Sequence, residues 1–406
     1  MFQTDICIIG AGPAGATTSL FLSKMGIPHT IVDGALFPRD KVCGDGLDLK
    51  VLRILNQLNQ NVVKNEILDN SNFIKSRGCS IIISKEKTVR FNLNTTDAKD
   101  HPYPFFMVAK RAYFDNFLVN KIEKNTADFR QATFVDKIEK DNNTWRIFTK
   151  SNAVSAEIHA KMIIGADGDH SVVLRSLGER KIERKHHCGS LRQYWRGISG
   201  LNGDNLIEAY LPKSLPMGYL WIFPLPNGEA NVGCGLPSDI IAKKKINLRN
   251  LLHQLITTDT AIKDRFKNAE PLEKPVGWGL PLASSRRNVY GDGYLLVGDA
   301  AGLISPITGE GIGPAMFSGF IAAQYLARAV DAKNFSATMF HNYDREIFKR
   351  LENAITISQW TRRMRPSFYN KSMNTLATSW IGRKYFSANI GKWIQTSANA
   401  PITVTF

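Results

Sequence analysis

The sequence predicts an α/β fold in which distant parts of the chain build one parallel sheet, joined to a mostly antiparallel region and a helical C-terminal region. Three observations predict it. A short β-branched run near the N-terminus leads directly into a glycine-rich turn and a helical stretch. Two further buried strand-like runs, ending in Gly-Ala-Asp and in Gly-Asp, follow far along the chain. Between these two runs, glycines, prolines and aromatic residues occur in extended patterns.

The composition is that of a globular protein with an unusual charge. Of the 406 residues, 43% are hydrophobic and 22% are charged, which argues against disorder, and the length is sufficient for two domains. The formal net charge of +16 predicts attraction to nucleic acid, to an anionic membrane surface or to a phosphorylated ligand. Because the sequence has no recognisable nucleic-acid-binding motif, we expect no nucleic-acid partner.

The five cysteines indicate a reducing compartment. They are widely spaced and form no CxxC or Cys/His pattern, so the sequence predicts neither disulfides nor a metal site. The apolar run before the glycine turn is too short for a signal peptide, and no apolar run reaches 18 residues. We therefore expect a cytoplasmic protein, either free or peripheral to a membrane.

The predicted elements begin with a βαβ unit. Its parts are a β-branched strand at Asp5–Ile9, the turn Gly10-x-Gly12-x-x-Gly15, a helix opened by Pro13 and a buried strand at Thr30–Asp33. The elements that follow are an antiparallel hairpin (Ser80–Ser84 and Thr88–Leu93), a helix (105–124), strands (130–165), an extended region (187–284, helical at 240–270), a strand (Tyr294–Asp299), a helix (312–330) and a helical tail.

The glycine turn has the chemistry of a dinucleotide site. Its first glycine permits the tight turn, the second lets the backbone approach a pyrophosphate, and the third lets helix and strand pack closely. The start of the helix offers N–H groups to the phosphates. The residues expected at the pyrophosphate are Gly10, Gly12, Pro13, Ala14 and Gly15. At the end of the next strand, Asp33 would accept hydrogen bonds from the adenosine ribose.

Two later motifs make a flavin the expected dinucleotide. Asp167 and Gly168 follow one buried strand, and Gly298 and Asp299 close another. The loop at 305–313 then opens a helix whose N–H groups would face the flavin edge that becomes anionic on reduction. The cofactor residues expected in this loop are Pro306, Gly309, Gly311 and Ile312. Because all three motifs occur in this order, the sequence predicts FAD binding.

This order of motifs resembles the flavoprotein group that includes aromatic hydroxylases, flavin halogenases and geranylgeranyl reductases. The stretch Arg111–Leu118 resembles the group's arginine-bearing helix, and Phe37–Gly46 resembles the cysteine-glycine segment of geranylgeranyl reductases. The stretch Tyr219–Pro224, followed by Gly233-x-Gly235, is similar to their substrate-domain signature. The resemblance covers about residues 1–320. In this group glutamate is usual where this chain has Asp33.

The resemblance implies a discontinuous domain organisation and places three residues against the cofactor. We expect a Rossmann-type FAD-binding domain at 1–70, 101–185 and 285–330, and an inserted, mostly antiparallel α+β substrate domain at 71–100 and 186–284. Residues 331–406 form the C-terminal helical tail. The residues implied to lie against the flavin are Arg39, Cys43 and Arg111.

The resemblance also implies the reaction, in which a reduced flavin hydrogenates an isoprenoid double bond. Cys43, with Gly44 and Asp45 beside it, is the candidate proton donor or flavin modulator, although a cysteine there could also be a packing residue. Asp45, His186 and His187 are weaker candidate acids. Electrons would come from NADPH or a ferredoxin-like carrier.

Three alternating aromatic residues are the candidate substrate wall. Tyr219, Trp221 and Phe223 face one side of a strand, and they would line an apolar tunnel or pack in an ordinary core. Pro224, Gly233 and Gly235 would shape the ends of strands instead of contacting the substrate. The substrate would be a prenyl lipid or another apolar molecule.

Two other classes of function remain open. One is a flavin-dependent monooxygenase or halogenase that acts on an apolar or aromatic substrate, for which Lys75 is the candidate lysine. The other is a non-catalytic flavin-binding or lipid-carrying protein.

The C-terminal tail predicts contact with an anionic membrane. From Asn353 to Phe406 the sequence has no acidic residue, and seven basic residues alternate with aromatic ones. The basic residues are Arg362, Arg363, Arg365, Lys371, Arg383, Lys384 and Lys392. The aromatic residues are Trp360, Phe368, Tyr369, Trp380, Tyr385, Phe386 and Trp393. The alternative is a helical cap whose aromatic side chains pack on the flavin domain.

Overall fold

The computed structural model describes residues 2–92, 104, 106–152, 154–179, 183–201 and 203–364, and six single positions between 368 and 379. Within them, the first sheet has eight strands. These are β1 (Phe2–Ile9), β2 (His29–Val32), β8 (Ala127–Arg130), β9 (Phe134–Asp141), β10 (Thr144–Ser151), β11 (Val154–Gly165), β18 (Tyr290–Gly291) and β19 (Tyr294–Leu296).

The core of this sheet is parallel, in the order β19-β11-β1-β2-β8. Its central strands are β-branched and buried on both faces, as parallel strands covered by helices must be. The strands β9 and β10 extend β11 in antiparallel fashion, and β18 pairs antiparallel with β19. The fold is therefore an α/β fold with a Rossmann-like parallel sheet.

Nine α-helices accompany the strands in the described residues. They are α1 (Pro13–Lys24), α2 (Leu49–Leu58), α3 (Arg111–Val119), α4 (Val172–Ser176), α5 (Ser238–Lys244), α6 (Leu248–Thr258), α7 (Ile312–Asp331), α8 (Tyr343–Lys349) and α9 (Glu352–Thr361). The close packing of α1 against α7 requires glycine, because a Cβ at Gly319 would lie 2.4 Å from the Ala14 carbonyl oxygen.

The second sheet also has eight strands in the described part of the chain. These are β5 (Gly78–Ser84), β6 (Lys87–Asn92), β12 (His187–Arg196), β13 (Ile207–Tyr210), β14 (Tyr219–Pro224), β15 (Glu229–Pro237), β16 (Glu270–Pro271) and β17 (Val276–Pro281). All pairings are antiparallel except β13 with β5. One face packs on α6 through Leu191, Leu220 and Cys234. The other face carries Tyr194, Trp221 and Asn231.

A small third sheet links the two large ones. It consists of β3 (Gly46–Leu47), β7 (Phe106–Val108) and β4 (Ile74–Ser76), in the order β3-β7-β4. Because β3 follows directly on the cysteine-glycine segment, this sheet fixes the end of that segment beside the second large sheet.

Several predicted elements are confirmed, and one is wrong in part. The hairpin over its described residues, 80–92, the strands of 130–165 and the helix from Ile312 lie where the sequence predicts them. The helix predicted at 105–124 begins only at Arg111, because the residues before it form β7. A three-residue strand shows too little alternation to be recognised from sequence.

The described part of the C-terminal tail is helical in α8 and α9. Most of the basic and aromatic stretch predicted to contact a membrane lies outside the described residues, including Arg365, Trp380, Arg383, Lys384, Tyr385, Phe386, Lys392 and Trp393. Across the part of the chain that the structure covers, no helix combines the length and the apolar character needed to cross a bilayer.

Candidate active site

The three glycines of the first turn have different surroundings. A Cβ at Gly10, whose φ is 102°, would lie 2.4 Å from the Ala166 carbonyl oxygen, and one at Gly15 would lie 1.9 Å from the Gly10 carbonyl oxygen. A Cβ at Gly12 would meet nothing nearer than Arg39 Nη2, at 3.8 Å. Only the position of Gly12 is therefore open, as the approach of a pyrophosphate requires.

The start of α1 is free to bind an anion. Pro13 is its first residue, and no side chain caps the helix, so the first-turn N–H groups have no partner within the helix. Asp33 stabilises the glycine turn that precedes this helix. Its Oδ2 accepts the Ala11 N–H at 2.7 Å, and its Oδ1 accepts the Ala35 N–H at 2.8 Å. Its contact with the adenosine ribose stays a prediction.

A cluster of two arginines and one carboxylate lies beside this turn. Asp115, which is fully buried, accepts hydrogen bonds from Arg39 Nη1 at 2.7 Å and from Arg111 Nε at 2.6 Å. Burial alone would lower the pKa of Arg111, but the adjacent Asp115 carboxylate more than offsets that effect and raises it. The Arg111 guanidinium also lies beside Cys43. Two cations share one anion, so the cluster retains a positive charge for the cofactor phosphates.

The two later aspartates have different tasks. Asp167 Oδ2 accepts the Val172 and Val173 N–H groups at 2.7 and 3.2 Å and so caps α4, while its buried Oδ1 has no partner among the described residues. In the part of the chain that is described, no group donates to the Asp299 carboxylate. Burial raises the pKa of Asp299, and Lys41 and Arg111 oppose that rise. An acceptor without a donor at this place suits a ribityl hydroxyl.

The last cofactor loop, residues 305–313, is joined to α2 by ion pairs that the sequence did not predict. Lys50 Nζ donates to Glu310 Oε1 at 3.0 Å and contacts Asp48 at 2.9 Å. Burial beside Asp48 raises the pKa of Glu310 well above its ordinary value. The loop continues into α7, which begins at Ile312 without a side-chain cap. Its first-turn N–H groups thus lack intrahelical partners, as they do in α1.

These features fit FAD. Both helix starts are uncapped, Gly12 leaves room for a pyrophosphate, and a net positive charge lies between them. The Asp299 side chain lies near the second helix start, since its Oδ1 is 3.6 Å from a Cβ built on Gly311.

The cysteine-glycine segment lies on the aromatic strand of the second sheet. A Cβ at Gly44 would contact Phe223 at 3.5 Å and Trp221 Nε1 at 3.6 Å. The Tyr219 hydroxyl donates to the Thr308 carbonyl oxygen at 2.5 Å, which joins this strand to the last cofactor loop. The structure therefore brings the predicted catalytic residues and the predicted substrate residues together.

Contrary to the prediction from the sequence, Gly233 and Gly235 do not shape the ends of strands. They lie in the middle of β15, opposite Trp221 and Tyr219. A Cβ at Gly233 would overlap the Trp221 ring, at 2.1 Å from Cζ2. The missing side chain lets this indole lie flat on the sheet.

A buried polar network behind the segment was missed by sequence reasoning. Asp45, fully buried with a φ of 63°, accepts at Oδ2 from the Tyr194 hydroxyl and from Asn231 Nδ2, both at 2.7 Å. Burial raises its pKa to about 6, against the effect of these two donors. Arg192 lies over the Tyr194 ring, 3.9 Å from its centroid. Among the hydrogen-bond partners of Asp45, only Asn231 lies next to a sequence motif, two positions before Gly233 of the Gly233-x-Gly235 pair.

Lys41 is another residue to which the sequence analysis assigned no function. Its Nζ lies 3.6 Å from the centroid of the Trp278 ring, and its strongest electrostatic neighbours include Arg111 and Asp299. Burial, followed by the Arg111 charge, lowers the pKa of Lys41 to about 8. No carboxylate within 4.0 Å pairs with it in the described residues, so no ion pair there neutralises the charge of this ammonium group.

The other candidate acids and the candidate lysine have partners of their own. His187 Nδ1 lies 2.9 Å from Ser238 Oγ and its Nε2 lies 3.2 Å from Asp169, while His186 contacts Ser284. Lys75 is half exposed and pairs with Asp69 at 3.6 Å. These residues do not contact the cysteine-glycine segment. Within the described ranges, no group of three or more His, Cys, Asp or Glu side chains could hold a metal ion.

The sequence comparison identifies the family to which this chain belongs. The chain matches the FAD binding domain family over residues 3–356 and belongs to that family, which makes it an FAD-dependent oxidoreductase. Its relatives include the digeranylgeranylglycerophospholipid reductase of Methanococcus vannielii, 27% identical over 343 residues that cover 84% of this chain and 81% of the relative.

Solved structures support the fold. A geranylgeranyl bacteriochlorophyll reductase-like protein from Thermoplasma acidophilum has a TM-score of 0.74 at 24% identity, over 100% of this chain and 94% of that one. The flavin-dependent halogenase CmlS has a TM-score of 0.72 at 20% identity, over 100% of this chain and 74% of that one.

Proposed function

We propose that this chain is an FAD-dependent reductase that hydrogenates carbon–carbon double bonds of geranylgeranyl- or polyprenyl-type isoprenoid chains. The observation that carries the proposal is the contact of the cysteine-glycine segment with the Tyr219-Trp221-Phe223 strand, next to the cofactor residues. The digeranylgeranylglycerophospholipid reductase among its relatives supports the same substrate class. A prenyl phospholipid is therefore the substrate to test first.

When bound, reduced FAD supplies a hydride to one alkene carbon. The protein must bring a proton to the other carbon, and an unactivated alkene accepts hydride only when it is held close and dry. Trp221 is buried, and Tyr219 and Phe223 are half-buried on either side of it. Their rings provide an apolar wall without hydrogen-bonding demands on the substrate.

Cys43 is the proposed residue beside the reacting carbon. Its side chain is half-buried, and it lies in the segment that covers the aromatic strand. Gly44 adds no side chain between Cys43 and the rings, and Asp45 holds the segment from behind. In this role the thiol proton goes to the second alkene carbon, and the resulting thiolate is reprotonated from solvent.

The cofactor contacts are part of the proposal. The pyrophosphate lies at Gly10–Gly15 with Arg39, the ribose at Asp33, and the flavin between Asp299, Arg111 and the start of α7. We assign the substrate to the second sheet, in line with residues 71–100 and 186–284 as the substrate domain. The electron donor is NADPH or a ferredoxin-like carrier.

An anionic membrane surface is the proposed site of attachment. On α9, Ile357 and Trp360 are three residues apart and are 50% and 63% exposed, and the exposed Arg363 follows in the turn just beyond the end of the helix. An apolar and basic face suits a protein that draws its substrate from a bilayer.

The decisive experiment uses the purified holoenzyme under anaerobic conditions. The bound FAD is reduced with dithionite, and either a prenyl phospholipid or oxygen is then added. Fast reoxidation with formation of the saturated lipid supports the reductase. Reoxidation by oxygen alone, with the spectrum of a flavin hydroperoxide, supports the monooxygenase or halogenase alternative. If neither the saturated lipid nor this spectrum appears, a binding or carrier role replaces both.

Replacing Cys43 tests its role directly. Cys43→Ala should retain the FAD spectrum and lower turnover with the prenyl substrate by at least about tenfold, a threshold set below the roughly 100-fold or more that is typical of acid–base catalysis. Cys79→Ala, in the half-buried face of β5, is the matched control and should leave turnover unchanged. Equal turnover in both variants would reduce Cys43 to a packing residue.

A further inference from the structure

Asn231 is the point at which three functional parts of the molecule meet. It lies on β15 and is fully buried. Its Nδ2 donates to the Cys43 carbonyl oxygen at 2.8 Å and to Asp45 Oδ2 at 2.7 Å. Its Oδ1 accepts the Trp221 Nε1–H at 2.8 Å. One amide thus connects the cysteine loop, the buried acid and the aromatic wall.

The orientation of this amide is fixed by its partners. Two acceptors, the Cys43 carbonyl and the Asp45 carboxylate, face Nδ2, and one donor faces Oδ1. A flipped amide would place its oxygen against both acceptors and its NH₂ group against the indole N–H. A buried mismatch of this kind costs far more than a satisfied hydrogen bond contributes.

The neighbouring residues support Asn231 without duplicating it. The Tyr194 hydroxyl donates to the same Asp45 oxygen, and within the described residues no hydrogen bond joins it to Cys43. The Asp45 carbonyl oxygen accepts the Ala109 N–H at 3.1 Å, which holds the far end of the segment to β7. Asn231 is thus the side chain that ties the backbone of Cys43 itself to the second sheet.

We propose that Asn231 is a positioning residue, which holds the Cys43 backbone at a fixed distance from Trp221 so that cofactor, thiol and substrate wall keep one geometry. The kinetic part of this inference rests on the proposed function, and the structural part does not. Loss of the Asn231 side chain would release the loop while leaving intact the glycine turn at Gly10–Gly15 and the loop at 305–313, to which Asn231 makes no hydrogen bond.

The structural part is tested by cysteine labelling of the holoenzyme. Asn231→Ala should raise the rate of Cys43 alkylation by iodoacetamide, followed by mass spectrometry, at least about fivefold, the effect of losing a buried hydrogen bond. The internal controls are the buried Cys7 and Cys234, which should remain slow. Tyr194→Phe is the matched control. It removes a donor from Asp45 but keeps both Nδ2 bonds, so Cys43 should label as in the wild type.

A second variant covers the case in which Asn231→Ala fails to fold. The exchange Asp45→Asn/Asn231→Asp keeps volume and charge, restores a hydrogen bond between the two side chains and still accepts from Trp221. It has no donor for the Cys43 carbonyl, so Cys43 should again label faster. Slow labelling of Cys43 in this folded variant would overturn the proposal, as would equal rates in Asn231→Ala and Tyr194→Phe.

The kinetic part uses the prenyl substrate. Asn231→Ala should lower kcat by about tenfold with little change in KM or FAD content, as expected when reacting groups lose alignment. Unchanged kcat together with fast labelling would remove the catalytic consequence of the proposal. If the wild type itself does not turn over, the proposed function fails, whereas the labelling result stands by itself.

Discussion

At the scale of single residues, the proposed site depends on open space at a glycine and on charged groups that other side chains leave unpaired. Gly12 leaves space, the Asp299 carboxylate receives no hydrogen bond from the described residues, and Lys41 has no carboxylate partner among them. Neighbouring residues of the same types are fully engaged, such as Gly15, whose Cβ would overlap the backbone, and Asp115, which accepts from two arginines. These differences separate functional from structural positions.

The glycines provide the first test. Gly12→Val should fold but contain no FAD, because its side chain has room in the protein and occupies the place of the pyrophosphate. Gly15→Val should fail to fold, since even its Cβ would lie 1.9 Å from a carbonyl oxygen. Circular dichroism and the absorbance ratio at 450 and 280 nm measure the two effects. Stoichiometric flavin in Gly12→Val would show that the cofactor lies elsewhere.

Lys41 should tune the bound cofactor. Reduction adds negative charge to the flavin, and a nearby ammonium stabilises it. Lys41→Met should lower the reduction potential of bound FAD by about 30 mV, which corresponds to about 1.4 kcal/mol for two electrons. Since the pKa of Lys41 is about 8, the cation is present below that pH, and the difference should vanish as the pH rises through 8. Lys75→Met, at a half-exposed position, is the control.

Asp45 should make stability depend on pH. Its pKa in the folded protein, about 6, is above the ordinary value of 3.8, so the ionised form is the costly one. The stability that protonation contributes is lost as the pH rises through 6, by about 3 kcal/mol at 1.36 kcal/mol per pK unit. Asp45→Asn should therefore gain stability relative to the wild type at pH 8 but not at pH 4, in urea unfolding. The exposed Asp69→Asn should show no such trend.

At the scale of elements, hydrophobic periodicity and glycine turns predicted most of the strands and helices around the proposed cofactor site. The βαβ unit, the strand before Asp167 and the helix from Ile312 are regular and long enough to be recognised from sequence periodicity. The third sheet was not predictable, because its strands have two or three residues. Neither was the register that places Asn231 opposite Phe223, since strand pairing depends on contacts between distant segments.

The exposed face of α9 is the element on which membrane attachment can be measured. Ile357→Ser/Trp360→Ser should weaken sedimentation with anionic vesicles at least about fivefold, because two apolar side chains lose their place in the headgroup region. Phe134→Ser, an aromatic residue 67% exposed on β9, is the control. Binding of the wild type should also fall with salt. Equal, negligible sedimentation with neutral and anionic vesicles would contradict attachment.

At the scale of the whole molecule, the proposed active site is an arrangement of segments that lie far apart in the sequence. The motifs predicted which segments participate, because each motif carries its own turn chemistry. They did not predict the cross-connections, such as Lys50 with Glu310 or Asn231 with Cys43, whose partners are separated by 260 and 188 positions. No local pattern encodes such a pair, so only the folded chain reveals it.

The separation of the cofactor segments also sets an order in time. The parallel sheet needs β19 beside β11, and the last cofactor loop, which ends at Gly313, lies about 300 positions after the first glycine turn. A ribosome adding 5–20 residues per second takes roughly 15–60 s to pass from that turn to this loop, and it completes the strands of the second sheet, at Pro281, before reaching it. The nascent chain thus carries its aromatic wall before it can hold FAD. Cofactor loading accordingly follows synthesis of the second sheet, and the supply of FAD acts on a chain that already contains the residues of the aromatic wall.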